Sequence, residues 1–355
     1  MRLLSVIGAR PQFVKASPLS LELRKLHTEV LLHTGQHYDP DLSQVFFDEL
    51  GLPPPDYHLG IGSGPHGKQT GLMLAAIEEL LLRERPQAVV VTGDTNSTLA
   101  GALAAAKLGV PVAHVEAGLR SFNHAMPEEL NRIIADHLST WLFAPAQSSR
   151  EHLAREGVTG GVHVVGDVMA DAIRMHGERA RMRSTAIPRL GLEEGRYYLA
   201  TVHRAENTDD EKRLRAIFDG FARLDRPVVL PLHPRTRRRL EELSLRPSSL
   251  IRLAEPQGYL DMLRLLEGAA CLLTDSGGMQ KEAYYLARPC VTLRDETEWT
   301  ETVDVGWNAV AGADSERIVA SVRSMIATPR TQHPQLYGDG HAARRIAAIL
   351  AGEAA

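Results

Sequence analysis

Three carboxylates in the first half of the chain stand where an α/β sheet presents groups to a ligand. Glu116 ends the apolar segment 112–116, Asp94 ends the segment 88–94, and Glu128 opens a helical pattern after a proline. Ligands of open α/β sheets bind at the carboxyl ends of the strands. Three acids gathered at that edge predict a proton-transfer site.

Helix capping is the alternative interpretation for two of these acids. Asp94 stands just before Thr95-Asn96, where a helix is predicted to begin, and Glu128 lies in a predicted first turn, where carboxylates are favoured. Glu116 has no such explanation, because Gly118 follows it before any helix begins. The chemical interpretation therefore depends most on Glu116.

A second candidate site follows a strand in the second half of the chain. Ser276, Gly277 and Gly278 stand between the apolar segment 271–274 and a helical pattern. Their backbone N–H groups and the serine hydroxyl are suited to a phosphate at a helix N-terminus. Glu282, one helical turn further along the chain, is suited to accept two hydrogen bonds from a ribose diol. The alternative is an N-cap serine with a capping residue downstream, although two glycines are poor at an ordinary helix start.

Basic residues near two further strand ends are candidates for contact with a diphosphate. His203 and Arg204 follow one strand, and Arg10 and Lys15 surround the helix start after the first strand. The alternative for the second pair is a plain turn with a solvent-exposed lysine. Together the patterns indicate a nucleotide diphosphate in one domain and carboxylates in the other. They leave group transfer, hydrolysis and epimerisation open.

Composition excludes several classes of function. The 355 residues suit two domains. The net charge of −4 and the lack of a polybasic block predict neither nucleic acid nor an anionic membrane as partner. No segment has the pattern of a signal peptide or a membrane span. Cys271 and Cys290 lie in apolar segments, as is typical of a reducing cytoplasm, and the histidines show no metal-ligand spacing.

Strands and amphipathic helices alternate along the chain, which predicts an α/β fold with parallel sheets covered on both faces. The stretch 174–195 is charged and loses apolar periodicity, so we predict a domain boundary near it and a central cleft between two domains. The predicted strands span residues 3–8, 29–33, 88–92, 112–116, 142–144, 163–167, 197–201, 228–232, 251–253, 271–274, 291–293 and 309–310. The predicted helices span residues 11–26, 69–85, 97–108, 127–139, 211–224, 259–267, 279–286, 314–326 and 341–351.

Nine short motifs follow one another in a characteristic order: Gly8-Ala-Arg-Pro, Gln36-His37, Gly93-Asp-Thr, His114-Val-Glu-Ala-Gly-Leu-Arg120, Pro127-Glu-Glu-Leu-Asn-Arg132, His203-Arg204, Pro231-Leu-His233, Asp275-Ser-Gly-Gly-Met-Gln280 and Tyr337-Gly-Asp-Gly340. In this order they resemble the non-hydrolysing UDP-N-acetylglucosamine 2-epimerases over essentially the whole chain. The resemblance implies two Rossmann-like domains of the glycosyltransferase-B type, residues 1–170 and 171–339, with the last helix, 340–355, packing back on the first domain. It also implies a homodimer without an organic cofactor. The cysteines and the histidine spacing described above predict a cytoplasmic protein without a metal.

The resemblance further implies a mechanism. UDP is eliminated across C1–C2 of the sugar to give a 2-acetamidoglucal. It is then added back with the C2 proton on the other face, which converts UDP-N-acetylglucosamine into UDP-N-acetylmannosamine. The implied catalytic residues are Asp94, Glu116, Glu128 and His203. The implied substrate-binding residues are Arg10, Lys15, His203, Ser276, Gly277 and Gly278 around the diphosphate, and Glu282 at the ribose.

Several segments depart from the common family pattern, among them Ala205-Glu-Asn-Thr-Asp-Asp210 and Pro234-Arg-Thr-Arg237. Glu296-Thr-Glu-Trp-Thr-Glu301 stands where the common branch has Thr-Thr-Glu-Arg-Pro-Glu. This variant resembles a sister branch that acts on UDP-2,3-diacetamido-2,3-dideoxyglucuronic acid. The C6 carboxylate of that substrate would require an additional cationic side chain in the site, for which Arg235 and Arg294 are candidates. Solvated surface positions are the alternative for both arginines.

The common branch also has a second, allosteric substrate site. It uses a Gln-His pair and a basic residue, and here Gln36, His37 and His233 are retained, with Lys68 at the basic position. A lysine is a point charge and lacks the bidentate fork of an arginine. This substitution puts allosteric control in question.

Two other functions are compatible with the same fold. A glycosyltransferase would need an acceptor groove, often with apolar membrane-facing helices, and this chain has no basic amphipathic helix. A non-catalytic nucleotide-sugar sensor would not need Asp94, Glu116 and Glu128 together. The predicted activity is therefore epimerisation at C2 of UDP-N-acetylglucosamine, with the diacetamido uronic acid as the alternative substrate.

Overall fold

Two compact units make up the chain. The first comprises Met1–Met175 and Tyr337–Ala355, and the second comprises His176–Leu336. Each unit is built on a parallel β-sheet, so the predicted α/β fold is confirmed. A computed structural model describes residues 1–36, 47 and 49–353.

The first unit has strands β1 (Arg2–Ile7), β2 (Thr28–His33), β3 (Tyr57–His58), β4 (Ala88–Thr92), β5 (Val112–Val115), β6 (Trp141–Ala144) and β7 (Val162–Val164). In the described part of this unit they form one seven-stranded sheet with the order β3-β2-β1-β4-β5-β6-β7. The helices that follow the strands are α1 (Arg10–Leu26), α2 (His66–Glu84), α3 (Asn96–Lys107), α4 (Pro127–Leu138), α5 (Gln147–Arg155) and α6 (Val168–Arg183), the last of which continues into the second unit.

The second unit, every residue of which is described, has strands β8 (Tyr198–Thr201), β9 (Val228–Pro231), β10 (Ile251–Ala254), β11 (Cys271–Thr274), β12 (Cys290–Thr292) and β13 (Asn308–Val310). They form a six-stranded sheet with the order β10-β9-β8-β11-β12-β13. Its helices are α7 (Ala186–Arg189), α8 (Ala205–Thr208), α9 (Glu211–Ala222), α10 (Pro234–Glu242), α11 (Tyr259–Gly268), α12 (Gly277–Tyr285), α13 (Thr300–Asp304) and α14 (Ser315–Ala327). The chain then returns to the first unit and ends with α15 (Ala342–Leu350).

Continuous runs of β-branched residues give the sheets their burial on both faces. All five residues of β4 are buried, as parallel strands covered by helices require. One face of this sheet packs against Met73 and Ile77 of α2 and the alanines of α3. The other packs against Leu19 and Leu23 of α1 and against Ile346 of α15. In the second unit, apolar clusters likewise cover both faces of the sheet.

Strand order decides which loops can meet. β1 lies between β2 and β4, and β8 lies between β9 and β11. In each sheet the chain therefore runs first to one side and then crosses to the other. Ligand sites of open α/β sheets form at the carboxyl ends of the strands beside such a switch point. Asp94 follows β4, and Ser276 follows β11.

The two units divide after Met175, at the start of the stretch 174–195 near which a domain boundary is predicted. The stretch itself is helical as far as Arg183, where α6 ends. Met169, Ala172, Ile173 and Ala180 are buried at the spacing of one helix face. Arg174 and Glu178 between them are exposed, and such charged residues obscure this short apolar face in the sequence. None of the helices in the described ranges is long and apolar enough to cross a membrane.

The predicted strand 163–167 is also too long. β7 ends at Val164, and Gly166 adopts a φ of 94°, which ends the extended conformation. A Cβ at Gly338 would lie 2.9 Å from the Cα of Gly166. The backbones at these two glycines therefore lie too close together for a side chain.

Candidate active site

Glu116 follows β5 in a backbone conformation that residues other than glycine rarely adopt. Its φ is 70°, in the left-handed region, which costs roughly 1–2 kcal/mol. The backbone N–H groups of Glu116 and Ala117 both donate to the carbonyl of Phe143 on β6, each at 3.1 Å. The Glu116 residue is only 4% exposed. Strain of this kind is held in place by its surroundings and is concentrated at functional sites.

Lys15, on α1, forms an ion pair with Glu116. Gly93 leaves room for this pair. A Cβ at that position would lie 3.3 Å from Glu116 Oε2 and 3.8 Å from Lys15 Nζ. The helix after β1, the turn after β4 and the end of β5 therefore meet at one place, and Asp94 is the next residue after Gly93.

Asp94 does not cap α3, so the capping alternative for this residue is wrong. The N-cap is Thr95, whose hydroxyl accepts a hydrogen bond from the backbone N–H of Thr98 at 3.3 Å. The Asp94 carboxylate is paired instead with Arg132 Nη2 of α4. Arg132 Nη1 also donates to Glu129 Oε2 at 2.7 Å. A cation from a neighbouring helix thus fixes the side chain of Asp94.

Glu128 lies in the first turn of α4 and is half-buried. A carboxylate in this position is favoured by the helix dipole, as the alternative interpretation expected. No described residue donates a hydrogen bond to it. Asn131 of the same helix donates to the backbone carbonyl of Asp94 at 2.9 Å. The helix that carries Glu128 is therefore tied to the turn that carries Asp94.

The structure describes only some of the predicted site residues of the first unit. α1 begins at Arg10, whose side chain lies outside the described part of the structure, and His37 lies outside the described residues altogether. Gln36 Oε1 accepts hydrogen bonds from the backbone N–H of Ser97 at 3.1 Å and from its hydroxyl at 2.7 Å. Lys68 is exposed on α2. The allosteric role of this set stays a prediction.

In the second unit, a buried aspartate holds the turn that carries His203. Asp275 Oδ2 accepts the backbone N–H of His203 at 2.9 Å, that of Arg204 at 3.0 Å and Nδ2 of Asn207 at 3.2 Å. His203 Nδ1 lies 3.1 Å from Asp275 Oδ1, and the imidazole is 36% exposed. Burial alone would raise the pKa of Asp275, but the hydrogen bond and charge of His203 and the two backbone N–H groups outweigh it and lower that pKa.

The loop after β11 has the geometry of a helix N-terminus. Ser276 is the N-cap of α12, and its side chain accepts from the backbone N–H of Met279 at 3.5 Å. A Cβ on Gly277 would clash with the carboxylate of Glu298, whereas the nearest atom to a Cβ on Gly278 would be 4.0 Å away. The first N–H groups of a helix have no acceptor within it. The cap interpretation and the phosphate interpretation of Ser276 are thus compatible.

Both arginines considered for a sugar carboxylate are paired with acids of this chain. Arg294 is buried rather than solvated, and its Nη1 lies 2.8 Å from Glu298 Oε2. Burial alone would raise the pKa of Glu298, but the charges of Arg294 and Arg204 lower it. Arg235 is exposed, and its Nη2 lies 2.6 Å from Asp209 Oδ2.

The remaining predicted residues of the second unit lie close to this loop or to His203. Glu282 is buried on α12; burial, with the charge of Glu282 as a smaller contribution, raises the pKa of Tyr259. His233 is the N-cap of α10, and its ring centroid lies 5.6 Å from that of His203. Trp299, which stands in one of the segments that depart from the family pattern, is buried.

Sequence reasoning missed two residues that support the site, Arg132 and Asp275. Asp275 had a usable signal, since it begins one of the nine motifs and directly follows an apolar strand, as Glu116 does. Arg132 ends one of the nine motifs, but nothing near it in sequence indicates that its partner is Asp94, 38 residues earlier. In both cases a charged partner fixes a predicted site residue.

The first unit thus presents carboxylates beside an ammonium and a guanidinium, an arrangement suited to proton transfer with a bound ligand. The second presents a helix N-terminus and a half-exposed imidazole, which are suited to a phosphate. Among residues 1–36, 47 and 49–353, no three or more His, Cys, Asp or Glu side chains are placed together to hold a metal ion.

Known proteins resemble this chain along nearly its whole length. A protein of Methanococcus maripaludis described as a UDP-N-acetylglucosamine 2-epimerase homolog is 46% identical over 99% of both chains. The UDP-2,3-diacetamido-2,3-dideoxy-D-glucuronate 2-epimerase of Pseudomonas aeruginosa is 48% identical over 99% of both. The crystal structure of the Methanocaldococcus jannaschii UDP-GlcNAc 2-epimerase, in complex with UDP-GlcNAc and UDP, is 43% identical over 99% of both chains, with a TM-score of 0.92.

The family model for UDP-N-acetylglucosamine 2-epimerase matches residues 20–351. This range includes both sheets, apart from β1, and the residues at the carboxyl ends of β4, β5, β8 and β11. With the relatives above, it shows that the chain belongs to the UDP-N-acetylglucosamine 2-epimerase family.

Proposed function

We propose that this protein interconverts UDP-N-acetylglucosamine and UDP-N-acetylmannosamine by inverting C2 of the sugar. The observation that carries the proposal is the placement of Glu116. A buried carboxylate is held in a left-handed backbone conformation beside Lys15, next to the turn that carries Asp94. Strained, charged residues of this kind are typical of a catalytic site.

The chemistry of C2 explains why several acids are needed. The C2 hydrogen is not adjacent to a carbonyl, so its direct removal as a proton is costly. When the C1–O bond to UDP breaks, the electron pair of the C2–H bond forms the C1–C2 alkene and the proton passes to a base. Re-addition of UDP to C1 takes a proton onto the other face of C2. Each face therefore needs an acid or base in reach.

Asp94, Glu116 and Glu128 are the proposed acids and bases. Asp94 is held by Arg132, and Glu116 by Lys15. Glu128 has no hydrogen-bond donor among the described residues. One of them removes the proton from one face of C2 and another returns it to the opposite face.

The proposed diphosphate contacts are the residues of the second unit that offer N–H groups or positive charge. Ser276, Gly277 and Gly278 offer the start of α12, and His203 offers an imidazole held by Asp275. Charge that develops on departing UDP is stabilised by such groups. His203 is counted with the catalytic residues for this reason. Arg10 and Lys15 are the proposed contacts from the first unit, and Glu282 the contact to the ribose.

Solvent isotope incorporation tests this function. The protein is incubated in D₂O with UDP-N-acetylglucosamine and no acceptor, and the recovered nucleotide sugars are examined by NMR. We expect deuterium at C2 of both epimers. A glycosyltransferase or a binding protein would leave C2 protonated, and that result would overturn the proposal.

A second candidate substrate is UDP-2,3-diacetamido-2,3-dideoxyglucuronic acid. The 48% identity to the Pseudomonas aeruginosa enzyme named for it supports this candidate. Arg294 is paired with Glu298 and Arg235 with Asp209, which favours the neutral sugar, because a C6 carboxylate would have to compete with these acids for either cation. A side-by-side assay decides: kcat/KM for UDP-N-acetylglucosamine of roughly 10⁴ M⁻¹s⁻¹ or above would exclude the uronic acid as the main substrate.

The cellular compartment, the oligomeric state and the domain bounds are part of the proposal. We propose a cytoplasmic homodimer, without cofactor, that feeds polysaccharide biosynthesis. The unpaired and buried thiols of Cys271 and Cys290 support a reducing compartment. The exposed apolar side chains of Leu130 and Ile134, one turn apart on α4, support a subunit contact on that helix. We further propose that residues 1–170 with 340–355, and residues 171–339, are the two functional domains.

A further inference from the structure

A buried histidine and aspartate lie behind the carboxylates of the first unit. His114 on β5 and Asp136 near the end of α4 are both fully buried. His114 Nδ1 lies 2.7 Å from Asp136 Oδ1, and His114 Nε2 lies 2.8 Å from the backbone carbonyl oxygen of Gly93. Neither His114 nor Asp136 has a role in the chemistry described above.

The partners of His114 define its charge state. The Gly93 carbonyl can only accept a hydrogen bond. The other oxygen of Asp136 accepts from the backbone N–H of Gly118 at 3.1 Å and from Arg120 Nη1 at 2.7 Å, as an ionised carboxylate does. Both ring nitrogens of His114 must then donate, so the ring is an imidazolium.

Two more charges complete the cluster. Arg120 Nε lies 2.6 Å from Glu156 Oε1, and Arg120 Nη2 lies 2.8 Å from Glu156 Oε2. Two cations thus alternate with two anions along the order His114, Asp136, Arg120 and Glu156. His114, Asp136 and Arg120 are buried, whereas the Glu156 side chain is 28% exposed. Hydrogen bonds between opposite charges offset the cost of burying them, but removal of one buried member leaves its partner with an unpaired buried charge. Its geometry is therefore sharply defined.

This cluster joins the three segments that carry the proposed acids. Gly93, which accepts from His114, directly precedes Asp94. His114 lies on β5, two residues before Glu116, which directly follows that strand. Asp136 lies in the last turn of α4, and Glu128 lies in the first turn of the same helix. A single imidazolium therefore bonds the turn after β4 to the end of α4, and it does so from the strand that leads to Glu116.

We propose that His114 and Asp136 are positioning residues for epimerisation. Their ion pair, called the charged tie below, holds the segments that bear Asp94, Glu116 and Glu128 in fixed positions relative to one another. The two residues of the pair act through those acids and do not touch the sugar. The proposal rests on the proposed function, since it assigns the positioned groups to the C2 proton. Misplacement of a reacting group by about 1 Å costs on the order of 10²-fold in rate.

Two variants test the tie against a matched control. His114→Gln and Asp136→Asn each remove a charge from the pair. His27→Gln is the control, because His27 is also buried, with Nε2 2.9 Å from the backbone carbonyl oxygen of Ala347. His27 directly precedes β2 and therefore lies at the amino ends of the strands, whereas the acids follow the carboxyl ends. We expect kcat and the rate of C2 deuterium exchange to fall about 10- to 100-fold in both variants, with KM and the Kd for UDP changed less than about 3-fold, and His27→Gln to keep its kcat.

The outcomes separate this proposal from the proposed function. Wild-type protein that exchanges no deuterium at C2 refutes the function and, with it, the role of the tie. Active wild-type protein with folded variants of unchanged kcat refutes the tie alone. An equal fall of kcat in the His27→Gln control would also overturn it, since any buried histidine would then suffice.

An NMR measurement on the wild-type protein keeps the proposal testable if a variant does not fold. Histidine labelled with ¹⁵N in the ring reports protonation of each nitrogen. We expect both ring nitrogens of His114 to carry protons at pH 7.5, and the same spectrum with UDP bound. A neutral tautomer, protonated on one nitrogen, would refute the charged tie whatever the variants do.

Discussion

The ammonium of Lys15 and the carboxylate of Glu116 form an ion pair between residues 101 positions apart in sequence. The Lys15 side chain is 14% exposed and that of Glu116 is 3% exposed. Each charge thereby offsets the cost of removing the other from water. The pair also joins α1 to the end of β5, the place where the backbone of Glu116 is strained.

Replacement of Lys15 by methionine should reveal the energetic coupling. Lys15→Met leaves the Glu116 carboxylate without its ammonium, so we expect the free energy of unfolding to fall by roughly 2–3 kcal/mol, less than for a fully buried pair because Lys15 is partly solvated. The double variant Lys15→Met/Glu116→Gln should recover at least about 1 kcal/mol of that loss. Urea unfolding measures both values. Strictly additive effects of the two substitutions would show that the pair is not coupled.

Replacement of Glu116 by glutamine tests its catalytic role. The amide has nearly the same shape but no acid or base function, so kcat should fall on the order of 10²-fold or more while UDP still binds. Steady-state kinetics and calorimetric titration with UDP make the comparison. Glu79→Gln, at an exposed position of α2, serves as the control and should keep its turnover. Unchanged turnover in the Glu116 variant would remove it from the mechanism.

Stability should depend on pH through His114. Burial alone would lower the pKa of His114, but the opposing charge and hydrogen bond of Asp136, with smaller contributions from the Gly93 carbonyl and Glu116, raise it above the ordinary 6.5. Arg120 faces the same carboxylate, and burial likewise opposes the shift of Asp136, whose pKa is lowered by His114 and Arg120. A raised pKa means that the stabilisation is complete below pH 6.5 and is lost as pH rises through the folded-state value.

The expected stability difference between wild type and His114→Gln is therefore largest near pH 5 to 6 and shrinks towards pH 9. Asp136 stays ionised throughout this range because its pKa lies below the ordinary 3.8. Each unit by which folding raises the pKa of His114 contributes about 1.4 kcal/mol. Urea unfolding at several pH values gives the curve. A difference that grows with pH would mean that the folded protein prefers neutral His114.

Two adjacent glycines provide a matched test of the phosphate loop. Gly277→Ala should lower both the melting temperature and the affinity for UDP, because its Cβ would clash with Glu298. Gly278→Ala has open space in the free protein, and alanine is favoured over glycine in a helix, so its melting temperature should not fall. If phosphate binds against this loop, Gly278→Ala should still weaken UDP binding by about 10-fold, roughly 1.4 kcal/mol. Full UDP affinity in Gly278→Ala would place the diphosphate elsewhere.

Much of the fold was predictable from local patterns. The bounds of β4 and β11 coincide with the predicted strands, because continuous β-branched and apolar runs between turn residues leave little choice of structure. The errors occur where burial is not visible in composition. The second part of α6, from Arg174 to Arg183, lacks apolar periodicity in the sequence, since its buried residues there are few and stand among arginines and a glutamate.

The sequence by itself determined which residues follow the strands, and hence that Asp94, Glu116 and Ser276 stand at the carboxyl edges of the sheets. Only the tertiary structure decided what those residues contact. Asp94 had a local cap available, worth about 1 kcal/mol, yet it pairs with Arg132 of another helix. Arg294, a candidate for a sugar carboxylate, is neutralised by Glu298. Such choices depend on strand order and on the packing of helices across it, and these are set by the whole chain rather than by neighbouring residues.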